Sequence, residues 1–121
     1  MTKAARKKKV LAIAQKLPDV ELREELPHIG FVVRKKTFAW YLDDHQGDGI
    51  VALSFKAPPG INHVLVATDP AAYFIPAYSG AKGWGAVRLD GSDVDWTQVE
   101  RHLTDAFKLT APKTLLKSLS T

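Results

Sequence analysis

The 121-residue chain predicts an α+β two-layer sandwich, with an antiparallel sheet packed against helices. Two patterns point to this class. Short segments rich in β-branched and aromatic residues (31–34, 37–42, 50–56 and 83–89) follow one another across turn-forming stretches. Apolar faces at helical spacing occur at both ends of the chain and once between strands. No linker, repeat or low-complexity stretch divides the sequence. Its length suits one domain burying roughly 65–70% of its unfolded surface.

Taken in order, Val10, Ile13, Ala14 and Leu17 predict a helix over residues 4–17, stopped by Pro18. Residues 21–27 are charged and read as an edge strand. Residues 31–34 and 37–42 form a hairpin, residues 43–49 (DDHQGDG) a turn, and residues 50–56 a third strand. After Pro58-Pro59-Gly60, residues 61–67 read as a short helix ended by Asp69-Pro70. A strand over 83–89 follows. Asp95, with Gln98 three residues on, caps a helix whose face is Trp96, Val99, Leu103, Ala106 and Phe107. A last helix lies near residues 112–119.

Composition excludes several functions. With no cysteine, disulfides, thiolate metal sites and cysteine nucleophiles are ruled out. The apolar run 10–14 is too short for a membrane span, and no cleavage site follows it, so a cytoplasmic protein without membrane partners is expected. The net charge is +4, yet residues 1–9 hold five of the 17 Lys and Arg and none of the 13 Asp and Glu. The remainder, 12 basic against 13 acidic, is nearly neutral. The organisation is thus a basic tail or helix start over 1–9 and one domain over 10–121, and any polyanion site must be a local patch.

A set of residues resembles the MmcQ/YjbR family of small bacterial proteins: Phe31-Val32-Val33, Lys36, Phe38-Ala39 and Lys56; Asp69-Pro70, Phe74, Pro76 and Tyr78; Gly80, Gly83-Trp84 and Val87-Arg88-Leu89; then Asp95-Trp96, Asp105-Ala106-Phe107 and Ala111-Pro112-Lys113. The resemblance covers roughly residues 17–113. It implies a YjbR/CyaY-like (frataxin-like) fold and a proposed double-wing mode of DNA binding, and it supplies no catalytic residues. The chain departs from the family pattern at Lys35-Lys36, where a glycine-containing hairpin turn is expected.

Two candidate sites follow. If Leu42 faces Ile50, then Lys56 falls beside Lys36, and Arg34, Lys35, Lys36 and Lys56 converge at one end of the sheet. Asp43, Asp44 and Asp48 then lie about 20 Å away. With Lys82 and Arg88 as minor contributors, this end suits nucleic-acid phosphates; a solvated, aggregation-resistant edge is the plainer explanation. The second candidate is the aromatic, glycine-rich stretch 69–89. Tyr78 and Trp84, with Lys82, could line a cleft for a small ring or a protein partner, or the aromatics could plug the space between helix and sheet.

Other chemistry is not expected. Asp44, Gln46, Asp48 and Gly49 echo a calcium loop, but Phe55 stands where a bidentate glutamate is required. His28, His45, His63 and His102 have no ligand spacing and read as surface or capping histidines, so neither metal nor cofactor is called for. Ser54 and Ser79 sit in no nucleophile elbow, and the paired carboxylates read as turns and caps. A non-enzymatic binding module is the expectation.

Overall fold

The computed structural model describes residues 2–119; Met1 and residues 120–121, the extremes of the two expected segments, lie outside it. The basic stretch is helical from its start. α1 spans Lys3–Gln15, and the Thr2 hydroxyl caps it by accepting the Ala5 N–H at 3.1 Å. Its cations are partly engaged: Lys3 pairs with Asp43 at 3.2 Å, Arg6 donates to the Gly91 carbonyl, and the Lys9 ammonium lies 4.8 Å from the Trp96 ring centre.

Six strands follow: β1 (Val20–Glu25), β2 (His28–Val33), β3 (Lys36–Asp43), β4 (Val51–Phe55), β5 (Tyr73–Phe74) and β6 (Gly85–Arg88). They form one antiparallel sheet in the order β1-β2-β3-β4-β6-β5. β1, rich in glutamate, is the charged edge strand expected from residues 21–27. The two-residue β5 at the other edge has no signal in the sequence. Three further helices are α2 (Ile61–Thr68), α3 (Trp96–Thr110) and α4 (Lys113–Leu119). Asp95 caps α3 by accepting the Thr97 and Gln98 N–H groups.

All four helices contribute to a single apolar cluster on one face of the sheet. Val10, Ile13 and Ala14 from α1, Val99, Leu103, Ala106 and Phe107 from α3, Leu115 from α4 and Leu65 from α2 meet Ile29, Phe31, Val33, Phe38, Leu53, Phe55 and Val87. Phe38 stands edge-on to Phe107 with ring centres 5.7 Å apart. The Tyr41 hydroxyl is enclosed in this layer without a hydrogen-bond partner, and burial, with Asp43 nearby, raises its pKa.

A β-bulge decides which residues face the helices. Phe31 pairs with Ala39, but Val32 pairs with Thr37, so Phe38 is an extra residue on β3. The insertion lets Phe38 and Ala39 both enter the core. It also places Trp40 and Leu42 on the opposite face.

The β3–β4 register corrects one expectation. Leu42 pairs with Ala52, not Ile50, and Lys56 donates its N–H to the Phe38 carbonyl at 2.9 Å. Lys56 therefore lies across from Phe38, two residues further along β3 than expected. The turn lies one residue further along the chain than expected, at 44–50 in place of 43–49, held by Asp44 accepting the Gly49 N–H and Asp48 accepting the Ile50 N–H. Among the described residues, no helix is long and apolar enough to cross a membrane.

Phe107 is fully buried at the centre of the cluster, whereas Leu109 on the same helix is exposed. Phe107→Ala is expected to cost about 3–5 kcal/mol in urea denaturation, and Leu109→Ala less than about 1 kcal/mol.

Candidate functional site

The β2–β3 hairpin closes through two residues, since Val33 pairs with Lys36. Both, Arg34 and Lys35, have positive φ (48° and 69°). A two-residue turn with this geometry matches the right-handed twist of the strands and ordinarily carries Asn-Gly. A residue with a Cβ in the left-handed region costs on the order of 1 kcal/mol, so the tight turn exists here despite its sequence. Asp19, also at positive φ (59°), accepts a hydrogen bond from Arg34 at 3.1 Å. Both partners are more than half exposed, so the pair holds Arg34 only loosely.

Lys35 and Lys36 are exposed and Lys56 is half-buried at the same end of the sheet. Lys82, exposed three residues before β6 begins opposite Phe55, leaves from that end as well. None of these four lysines has an ion-pair partner among the described residues. Arg88 is elsewhere. It pairs with Ala52 at the far end of the sheet and donates to Asp90 at 3.2 Å. Burial alone would raise the Asp90 carboxyl, but hydrogen bonds from Arg88 and the Val51 N–H, with the Arg88 charge, hold it below the usual carboxylate range.

The stretch 69–89 begins at the end of α2, supplies β5, crosses the sheet through a 3-10 turn at Ser79–Lys82 and returns as β6. Its anchor is Asn62 of α2, 1% exposed, which donates to the carbonyls of Gly80 (3.2 Å) and Trp84 (2.9 Å) and accepts the His63 N–H. A buried amide with its donors and acceptor engaged fixes the loop to the helix. Gly80 must be small, because a Cβ there would overlap the Ile75 Cγ2 methyl. Tyr78 is 79% exposed, so it does not serve as an internal plug; Phe74 and Trp84 are half-buried.

Tyr78 stands beside a groove on the helix-free face of the sheet. The groove holds about 300 Å³ and is walled by Trp40, Leu42, Ser54, Pro76 and Tyr78, with His28, His45 and Glu25 toward one end. Trp84 and Lys82 are not part of it. The Trp40 ring lies over Gly30, where a Cβ would come to 3.0 Å from the ring. The His28 and His45 rings meet edge to face at 5.4 Å, and His28 Nδ1 accepts the Asp43 N–H at 3.2 Å.

The profile of the YjbR family matches residues 15–109, most of the chain. The chain belongs to the YjbR family. The crystal structure of Deinococcus radiodurans protein DR2400, described by its domain DUF419, is similar in fold: TM-score 0.65 and 21% identity over 81% of this chain and 72% of that one. No curated protein matches.

A second cleft of this YjbR domain, about 440 Å³, lies between β5 and the start of α3 and includes Asp69, Tyr73, Asp95 and Gln98. Part of its polar lining is committed. Asp95 caps α3, and the Tyr73 hydroxyl shares a 2.7 Å hydrogen bond with His102 Nε2. His102 stacks on Phe55 (4.4 Å, 5°), contrary to the surface or capping role expected of it. Burial lowers its pKa; Asp105 opposes the shift and Arg101 adds to it. Burial, then Asp69 and Asp95, raises the Tyr73 pKa. Among the described residues no group of three or more potential ligands could hold a metal ion.

Sequence reasoning missed Trp40, His28, His45 and the polar floor at Ser54. The alternation along β3 carried the relevant signal, but the bulge at Phe38 shifts its phase. His28 and His45 are 17 positions apart and meet only through the sheet register.

Two expectations follow. Because His102 titrates lower folded than unfolded, the unfolded chain binds the extra proton. Stability should therefore fall as pH drops below about 6.5 and level off below the folded pKa. Thermal unfolding should show a shallower decline over that range in His102→Phe than in the parent. Gly80→Ala should cost about 1–3 kcal/mol by the same method, while Gly91→Ala, with open space around it, changes little.

Proposed function

We propose that this YjbR protein is a non-enzymatic, cytoplasmic polyanion-binding module that takes nucleic acid at the basic end of its sheet, through Arg34, Lys35, Lys36, Lys56 and Lys82. The observation that carries the reading is the Arg34-Lys35 turn. Two long cationic side chains occupy positive-φ positions where Asn-Gly would close the hairpin at lower conformational cost. Their retention is explained if the tip must present charge. The unpaired lysines alongside supply more phosphate contacts. Arg88, bound to Asp90 at the opposite end, takes no part.

Binding of this kind is electrostatic, indifferent to sequence and steeply salt-dependent. It should be visible in fluorescence anisotropy with labelled duplex and single-stranded DNA at low salt and disappear as salt rises. The double variant Arg34→Asn/Lys35→Gly is the informative probe, since it relieves the turn while removing two charges. It should be more stable than the parent by about 1 kcal/mol and bind DNA several-fold more weakly. Its salt slope should be shallower by about 0.9 for each duplex phosphate it no longer neutralises. Lys8→Gln/Arg101→Gln, which removes the same charge from exposed helix positions, should bind like the parent. No binding at low salt, or undiminished binding by the turn variant, would reject the assignment.

A further inference from the structure

We infer that the groove on the helix-free sheet face is a small-molecule site for a planar heteroaromatic ring with a hydrogen-bonding edge. This holds whether or not the basic turn binds nucleic acid.

The inference starts from Ser54. Its residue is 2% exposed and lies in the groove wall, and its hydroxyl has no hydrogen-bond partner among the described residues. Among the described residues the Tyr41 hydroxyl is the enclosed side-chain polar atom without a partner. The Ser54 hydroxyl is not enclosed in that way, and it opens onto the groove, where water or a ligand can bond it. A donor–acceptor group held unpaired in the wall of a cavity is what a bound polar edge would satisfy. In the larger cleft beside β5, Tyr73 and Asp95 already have partners, and Asp69, Ser92 and Asp93 are exposed to water.

The surroundings of Ser54 define the ligand class. Trp40, seated over Gly30, and Tyr78, projecting from the crossing segment, flank the groove, while Leu42 and Pro76 add apolar wall. Aromatic walls favour a flat ring that can stack, whatever its identity. A second polar contact is available at the histidine end. The Asp43 N–H occupies His28 Nδ1, which leaves the Nε2–H of neutral His28 as a donor. Glu25 offers an acceptor at the same end. A volume of about 300 Å³ suits one or two fused rings and lies at the lower end for ligand pockets.

The test is a ¹H–¹⁵N NMR titration of the intact chain with adenine, guanosine and nicotinamide, using cyclohexylamine as a non-planar control. At least one planar probe should saturate and shift the Trp40 indole N–H together with the amides of Ser54, Ala77 and Tyr78; the control should not. Ser54→Ala should weaken binding roughly five-fold, the loss of one hydrogen bond, with the melting temperature little changed. Tyr78→Ala, at a position too exposed to matter for folding, should weaken it roughly ten-fold. The Arg34→Asn/Lys35→Gly variant should bind the same probe as the parent does. Absence of groove shifts with all three planar probes would overturn the inference. So would undiminished binding by Ser54→Ala.

Discussion

Helices cover one face of this sheet and not the other, and most of the molecule follows from that asymmetry. A six-stranded sheet with a single helical layer has one face to bury and one to keep compatible with water. The buried face takes Phe31, Phe38, Phe55 and Phe107 into a continuous core. On the other face Val32, Leu42, Ala52 and Ala86 are also buried, yet they lie outside that cluster. Neighbouring side chains such as Trp40 and the crossing segment 75–84 shield them instead of a helix. The cover is thin, and the groove is the gap it leaves.

That cover depends on very few contacts. Asn62 reaches from α2 to two carbonyls of the segment, and Gly80 admits Ile75 beneath it. A loop tied down at one side and free at Tyr78 is well suited to frame a cavity while leaving a large aromatic residue in water. The strained basic turn lies apart from this arrangement, at the end of the strands and not on their face. The two features can thus be altered independently.

Much of the fold was legible in the residues alone, because it rests on local rules. Periodicity located α1 and α3, Asp95 announced a cap, and the charges of residues 21–27 marked an edge strand. The family resemblance rested on side chains that the core and turns require. Long-range geometry was not legible. The two-residue slip between β3 and β4 arises because the turn, with Asp44 and Gln46 at positive φ, sits one residue further along the chain, at 44–50. The short β5 forms because β6 offers an open edge, which no local propensity in Tyr73-Phe74 announces. The groove is half visible in the sequence: Tyr78 reads as a cleft residue, but its partners Trp40 and Ser54 sit on strands whose facing depends on a bulge and a register.

The extra residue at Phe38 acts on β3 as a frame shift acts on a reading frame. A strand assigns its side chains alternately to two compartments, and one inserted position exchanges the assignments for everything beyond it. Upstream of the insertion, Lys36 and Thr37 follow one frame; downstream, Ala39 and Tyr41 go to the helices while Trp40 and Leu42 go to the open face. Related chains that lack this position would present a different pair of surfaces from nearly the same letters. Alignments across the hairpin therefore carry functional meaning at the level of a single gap.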